Sequence, residues 1–171
     1  MSLIYLIGFM GVGKSTIGKK LAKELGYDFV DLDDLFESRY KLNIAAFFGK
    51  YGEELFRELE NKILLETFSY KNTVIATGGG TPCFYGAIDG INKNGISIYL
   101  KMPVGALVKR LENAIRPRPF AFGKSHDELL EDVGELLQKR EADYLKANFK
   151  HDASKPDLEP VIEFIELCNK Q

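Results

Sequence analysis

Short apolar runs alternate with longer stretches of helical period, and this predicts an α/β fold: a parallel sheet with helices on both faces and right-handed crossovers. Three runs carry that reading: Leu3–Ile7, Thr73–Ala76 and residues 96–100 (ISIYL). Each is apolar, rich in β-branched residues and of strand length, as suits strands buried on both faces. The chemistry-bearing stretches follow such runs, which points to a ligand site along the carboxyl edge of the sheet.

Residues 3–7 open the chain as a buried strand and run straight into a glycine loop. Gly8, Gly11, Gly13, Lys14 and Ser15 satisfy G-x-x-x-x-G-K-[ST], and IGKKLAKELG follows with Ile17, Leu21 and Leu25 four residues apart. Strand, glycine loop and helix in that order make a phosphate site. Glycines let successive N–H groups turn inward around phosphate oxygens, and the new helix adds its unsatisfied N–H groups and positive dipole end. Lys14 supplies a compact cation to the β- and γ-phosphates, and the Ser15 hydroxyl is a hard oxygen ligand suited to Mg²⁺. A dinucleotide fingerprint fails, because G-x-G-x-x-G begun at Gly11 would need glycine where Thr16 stands.

Gly26 reads as the stop of the first helix. Residues 27–31 read as a second strand, ending in Asp31-Leu32-Asp33-Asp34. Two carboxylates at i and i+2 on that edge can divide the work of holding a metal and accepting a proton; equally, one of them can cap the next helix. Residues 34–41 and 44–51 read as short helical pieces broken at Gly52, and residues 52–68 as a longer helix. On that helix Phe56, Leu59, Ile63 and Thr67 share one face; Glu53, Arg57, Glu60 and Leu64 share another. The pattern alone favours Arg57 as an i,i+4 partner of Glu53 on a solvated face.

The third strand, Thr73–Ala76, runs into Thr77-Gly78-Gly79-Gly80. Three successive glycines carry a large entropy cost, so either a ligand approaches the backbone there or the turn requires positive φ. Residues 84–93 give no clear period. The fourth strand at 96–100 leads to a helix opened by Pro103. Residues 114–125 (AIRPRPFAFGKS) have neither period and carry Arg116, Arg118 and Lys124: either a basic surface loop or a lid. Residues 127–147 form a long helix with Val133, Leu137, Arg140 and Tyr144 on one face. An arginine there either meets an anion or reaches along the surface to water. Residues 149–152 are expected as an edge strand, and a last helix is expected to bury Leu158, Val161, Ile162, Ile165 and Cys168.

The totals bound the function. A chain of 171 residues suits one domain with a real core, and a net charge of −2 gives no general attraction to nucleic acid or membrane. Two cysteines, Cys83 and Cys168, make neither a disulfide framework nor a metal cluster. With no secretory pattern and no run of membrane-spanning length, the cytoplasm is the expected compartment.

The sequence resembles shikimate kinases over nearly its whole length. GFMGVGKST, DLDD at 31–34, GEELFRELE at 52–60, TGGG at 77–80, an Arg-Pro lid and KREADY at 139–144 occur in that family's order and spacing. The resemblance implies a three-layer P-loop kinase fold like that of nucleoside-monophosphate kinases, with a five-stranded parallel sheet. It implies a single domain in which helices at about 33–61 bind shikimate and a lid spans about 114–126. It also implies transfer of a phosphoryl group from ATP to the 3-hydroxyl of shikimate, with Mg²⁺, by a cytoplasmic monomer of the pathway to aromatic amino acids.

By position, Gly11, Val12, Gly13, Lys14, Ser15 and Thr16 would hold the ATP phosphates. Ser15 would ligand Mg²⁺, with Asp31 supporting it through water. Asp33 would bind substrate hydroxyls and act as the base. Arg57 and Arg140 would clamp the carboxylate, Gly79 would offer its N–H, and Gly78 and Gly80 would shape that turn. Arg116 would reach the transferring phosphates, and Arg110 and Lys155 would lie near the adenine. The lid departs from the family's Arg-Pro-aliphatic pattern in reading Arg116-Pro117-Arg118-Pro119 with Phe120 and Phe122. Kinases for gluconate or nucleoside monophosphates, and a nucleotide switch without catalysis, share the phosphate loop. They lack Asp-x-Asp, Phe-Arg-x-x-Glu and the triple glycine together.

Overall fold

The computed structural model describes residues 2–114 and 119–170. Five parallel strands form one sheet in the order β2-β3-β1-β4-β5. The strands are β1 (Leu3–Ile7), β2 (Asp28–Asp31), β3 (Thr73–Ala76), β4 (Ile96–Lys101) and β5 (Phe149–Asp152). Among the described residues seven helical elements connect and flank them: α1 (Lys14–Leu25), α2 (Leu32–Tyr40), α3 (Ile44–Thr67), α4 (Ala87–Asn94), α5 (Val104–Glu112), α6 (His126–Tyr144) and α7 (Glu159–Asn169). Burial follows the order of strands. Every residue of β1 and β3 is buried, whereas the edge strand β2 is half-buried beyond its exposed first residue and the edge strand β5 buries only His151. The continuous apolar runs were therefore the signature of central strands covered by helices on both sides.

The register aligns the carboxyl ends that carry the chemistry. Leu6 of β1 lies beside Ala76 of β3, and Ala76 lies beside Asp31 of β2. The chain leaves β1 at Gly8, where a β-carbon would stand 2.7 Å from the Leu100 carbonyl oxygen, so the loop lies against the end of β4. Thr77 anchors the next loop back to β1: its N–H and its hydroxyl both donate to the Leu6 carbonyl at 3.1 Å.

The helix boundaries show local rules at work. Gly26 closes α1 in the left-handed conformation at φ 67°. Residues 44–51 and 53–67, together labelled α3, are two helices that meet at a kink at Gly52, whose conformation (φ 81°, ψ 171°) only glycine adopts cheaply. The segment without clear period is the short helix α4, which starts just after Gly86. Ser125 and Glu128 form a reciprocal capping box that starts α6. Residues 119–121 form a single 3₁₀ turn before it. In α7, Val161 and Ile165 are buried as expected, together with Leu158 at its N-cap, whereas Ile162 and Cys168 are only partly buried. No helix among the described residues is long and apolar enough to cross a membrane.

Candidate active site

The glycine loop takes the form a phosphate cradle needs. Gly8, Gly11 and Gly13 all have positive φ, and Gly13 places α1 with no side-chain cap and no acidic residue in its first turn. The helix N-terminus is thereby left to an anion. Lys14 begins α1 and folds back across the loop; its buried Nζ donates to the carbonyls of Gly8 at 2.8 Å and Phe9 at 2.9 Å. Arg110, near the end of α5, braces the other side: Nη1 donates to the Val12 carbonyl at 2.9 Å. Lys155 is exposed on the turn after β5, and the carbonyl of the next residue, Pro156, accepts from Lys20 of α1 at 3.3 Å. Arg110 and Lys155 thus border the loop-and-helix unit from the β4 and β5 sides.

The two aspartates at the end of β2 have different surroundings. Asp31 caps α2, accepting from the Asp33 N–H through Oδ1 at 3.0 Å. Its Oδ2 accepts from the Ser15 hydroxyl at 2.5 Å. One carboxylate thus both caps α2 and meets the phosphate loop. The Ser15 and Asp31 oxygens are hard donors side by side at the phosphate loop, a donor set that fits Mg²⁺. Asp33 instead points at the triple glycine: its Oδ1 is 3.1 Å from where a β-carbon on Gly78 would lie.

That turn explains itself by space rather than by conformation. None of Gly78, Gly79 and Gly80 has positive φ, which corrects that half of the expectation. A β-carbon on Gly78 would stand 2.6 Å from Glu60 Oε1; one on Gly79 would stand 3.2 Å from the Met10 nitrogen and 3.4 Å from Arg140 Nη1. On Gly80 it would fall 2.5 Å from Arg57 Nη2. Charged side chains lie directly on a bare backbone.

Arg57 is the second correction. It does pair with Glu53, at 3.1 Å, but it is only 8% exposed, and its Nη1 donates to the buried Glu60 at 2.8 Å. Its guanidinium lies over the rings of Phe84 (4.5 Å), Phe56 (5.1 Å) and Phe48 (5.9 Å). Glu60 is held in turn by the Thr81 hydroxyl at 2.6 Å. A solvated-face pair is worth little; a desolvated cation stacked on aromatics and fixed by two carboxylates is a rigid, preorganised donor.

Arg140 comes from the opposite side, on α6. Its Cζ is 5.9 Å from the Phe9 ring, and its Nη1 is buried with no hydrogen-bond partner in the protein. The residue is only partly buried as a whole, but that nitrogen does not reach water. A buried unsatisfied guanidinium N–H is costly and calls for an anion. An open pocket of about 490 Å³ lies here, lined in part by Glu53, Phe84, Leu136, Lys139 and Arg140. Cys83 also lines it; burial pushes its thiol up to about 11, against the pull of Arg140 and Arg57, so it is a neutral wall.

Sequence reasoning thus named Asp31, Asp33, Arg57, Gly78, Gly79, Gly80 and Arg140, and the structure brings these together at one edge beside the loop of Gly11, Val12, Gly13, Lys14, Ser15 and Thr16. Arg116 and Arg118 lie outside the described residues. Glu60 was missed as a site residue, although its i+3 spacing from Arg57 on one helical face signalled the contact. Tyr144 was missed too: it donates to the Gly79 carbonyl at 2.5 Å, a contact across 65 positions that no local pattern contains.

Comparison with known proteins agrees with this geometry. The shikimate kinase family model matches residues 10–168. Shikimate kinase of Parabacteroides distasonis is 43% identical over 155 residues, which is 91% of this chain and 90% of that one. The crystal structure of shikimate kinase from Bacteroides thetaiotaomicron superposes with a TM-score of 0.88 at 36% identity, covering 99% of this chain and 97% of that one. Shikimate kinase from Acinetobacter baumannii in complex with shikimate gives a TM-score of 0.85 at 33% identity, with 99% and 95% covered. The phosphate loop, the aspartates, the triple glycine and the two arginines therefore sit in a chain that belongs to the shikimate kinase family.

Proposed function

We propose that this protein transfers the γ-phosphoryl group of ATP to the 3-hydroxyl of shikimate, giving shikimate 3-phosphate and ADP on the route to chorismate and the aromatic amino acids. One observation carries the reading. Two guanidinium groups from different helices, Arg57 on α3 and Arg140 on α6, flank the triple-glycine turn, and Arg140 Nη1 is buried without a partner. A planar carboxylate matches that arrangement, because an arginine fork binds both oxygens. Shikimate carries one such group and several hydroxyls on a ring.

Fixing the carboxylate fixes the ring, and the ring then offers one hydroxyl to Asp33. Asp31 is engaged by Ser15 and by the Asp33 N–H, and Asp33 Oδ1 lies close to Gly78 on the acceptor side. It would take the hydroxyl proton as base. On the donor side, Gly11 to Thr16 would hold the phosphates through backbone N–H groups. Lys14 Nζ, held by the Gly8 and Phe9 carbonyls of the loop, would turn to the β- and γ-phosphates. Ser15 and Asp31 would hold Mg²⁺, whose contribution is neutralisation of phosphate charge. Arg110 and Lys155 would border the adenine, and Arg116 would add a lid cation. Phosphoryl transfer asks for alignment and charge stabilisation more than for a strong base, so these parts suffice.

The test is product identification. Incubation with ATP, Mg²⁺ and shikimate should give one new phosphomonoester by ³¹P NMR, coupled to the proton at carbon 3. Phosphate on another hydroxyl, or only inorganic phosphate, would contradict the proposed orientation.

A further inference from the structure

We infer that Tyr144 is a positioning residue for the acceptor: its hydroxyl pins the Gly79–Gly80 peptide and so holds the triple-glycine amides in one orientation. This rests on the shikimate reading above. Tyr144 is fully buried at the end of α6. Its ring packs on Tyr99 of β4 with centroids 5.1 Å apart. Its hydroxyl donates to the Gly79 carbonyl at 2.5 Å. Burial keeps the phenol neutral far above the ordinary range, with Arg140 pulling the other way by its charge and by a side-chain hydrogen bond, so it is a hydrogen-bond donor at every working pH.

The consequence follows from peptide planarity. The Gly79 carbonyl and the Gly80 N–H belong to one trans plane and point in opposite directions. Holding the carbonyl on the Tyr144 side turns that N–H to the other side. The Thr81 N–H closes the turn on the Gly78 carbonyl at 3.2 Å and the Cys83 N–H holds the Gly80 carbonyl at 2.9 Å. Glycine on both sides of the plane still widens the rotation open to it, and the Tyr144 hydrogen bond is a restraint on the Gly79 carbonyl itself. Tyr144 also lies one helical turn after Arg140, whose Nη1 is 3.4 Å from the Gly79 β-carbon position. One side chain therefore ties the turn to the helix that carries the carboxylate-binding arginine.

The test is Tyr144→Phe, which removes one oxygen and keeps the ring stack, with Tyr99→Phe as the control for loss of a buried hydroxyl in the same stack. Kinetics are measured against shikimate and against ATP, with thermal melting alongside. Tyr144→Phe should raise the shikimate KM by roughly tenfold, the value of one hydrogen bond, while the ATP KM stays within twofold and Tyr99→Phe changes neither. An unchanged shikimate KM overturns the inference, as does a parallel rise in both KM values with early melting, which marks a merely structural role. ¹⁵N-glycine labelling of the wild-type protein gives a measurement independent of the variant's folding. The Gly79 and Gly80 amides should shift on addition of shikimate alone; unmoved amides at saturating shikimate overturn the inference. A wild-type protein with no shikimate-dependent ADP release brings down the acceptor reading itself, whereas an active wild type with an indifferent Tyr144→Phe brings down only the positioning role.

Discussion

Replacing Gly80 by alanine isolates the steric logic of the site. Gly80 has φ −92° and ψ −16°, a conformation alanine adopts without strain, so the added methyl acts only through contact. That methyl would stand 2.5 Å from Arg57 Nη2 and 2.7 Å from its Cζ and Nη1. Ordinary contact is about 3.5 Å, so the guanidinium must retreat by about 1 Å. It cannot do so freely: Glu60 holds Nη1 at 2.8 Å, Glu53 holds Nη2 at 3.1 Å, and the Phe84 ring lies 4.5 Å from Cζ. Misplacing one charge-assisted hydrogen bond to a carboxylate costs about 1.5–3 kcal/mol, which is a rise of roughly 10- to 150-fold in the shikimate KM. Overpacking of this kind destabilises by about 1–3 kcal/mol, or roughly 2–10 °C in Tm for a chain of this size. The assay is initial-rate kinetics of ADP release with shikimate varied at saturating ATP, repeated with ATP varied, plus a thermal melt. A shikimate KM and a Tm both equal to wild type would refute the argument that bare backbone is required under Arg57.

Further outcomes follow from the same geometry. Asp33→Asn should lower kcat by about two orders of magnitude or more with ATP affinity unchanged by equilibrium binding; near-normal turnover would remove Asp33 from the base role. Arg140→Ala should raise the shikimate KM by about tenfold or more and leave the ATP KM alone, since the buried Nη1 has no partner in the protein to lose. Arg116→Ala should reduce kcat more than Arg118→Ala does, and the reverse order would move the lid role to Arg118. Burial raises Tyr5 and Tyr99 to about 12, above the ordinary value near 10. The fold thus favours the neutral phenol, and that stabilisation is complete below pH 10 and lost as pH rises from 10 towards 12. In a spectrophotometric titration these tyrosines should ionise together with alkaline unfolding; early ionisation in a folded protein would show that they are accessible.

What could be read from the chain depended on whether a local rule or a distant contact set the outcome. Residues 3–7 and 73–76 were legible as strands because they are covered on both faces and so are apolar throughout. The phosphate loop was legible because its chemistry lies within eight consecutive residues. The break at Gly52 was visible, and the two helical pieces read around it do meet at a kink there. Arg57 was misjudged from its pattern: the i,i+4 contact with Glu53 exists, but Phe84 and Gly80 come from the loop after β3 and bury it. The triple glycine announced that something needed space without saying what; the answer, Arg57, Glu60 and Arg140, required the packing of α3 and α6 against that loop. Tyr144 was legible as a buried position and not as a donor to Gly79, because the partner is a backbone carbonyl on another element. The spacing of Asp31 and Asp33 alone left their roles open and the resemblance assigned them; the Ser15 hydroxyl's contact with Asp31 is a fact of packing that no local pattern contains.

The most direct test of the account is ADP release from Mg²⁺-ATP with and without shikimate, with gluconate and nucleoside monophosphates as alternative acceptors. The account predicts a strong rise with shikimate alone, because paired arginines beside a bare glycine turn select a carboxylate on a ring of hydroxyls. Release that does not rise with shikimate, or rises equally with gluconate or a nucleoside monophosphate, would contradict it and leave only the phosphate loop correctly read.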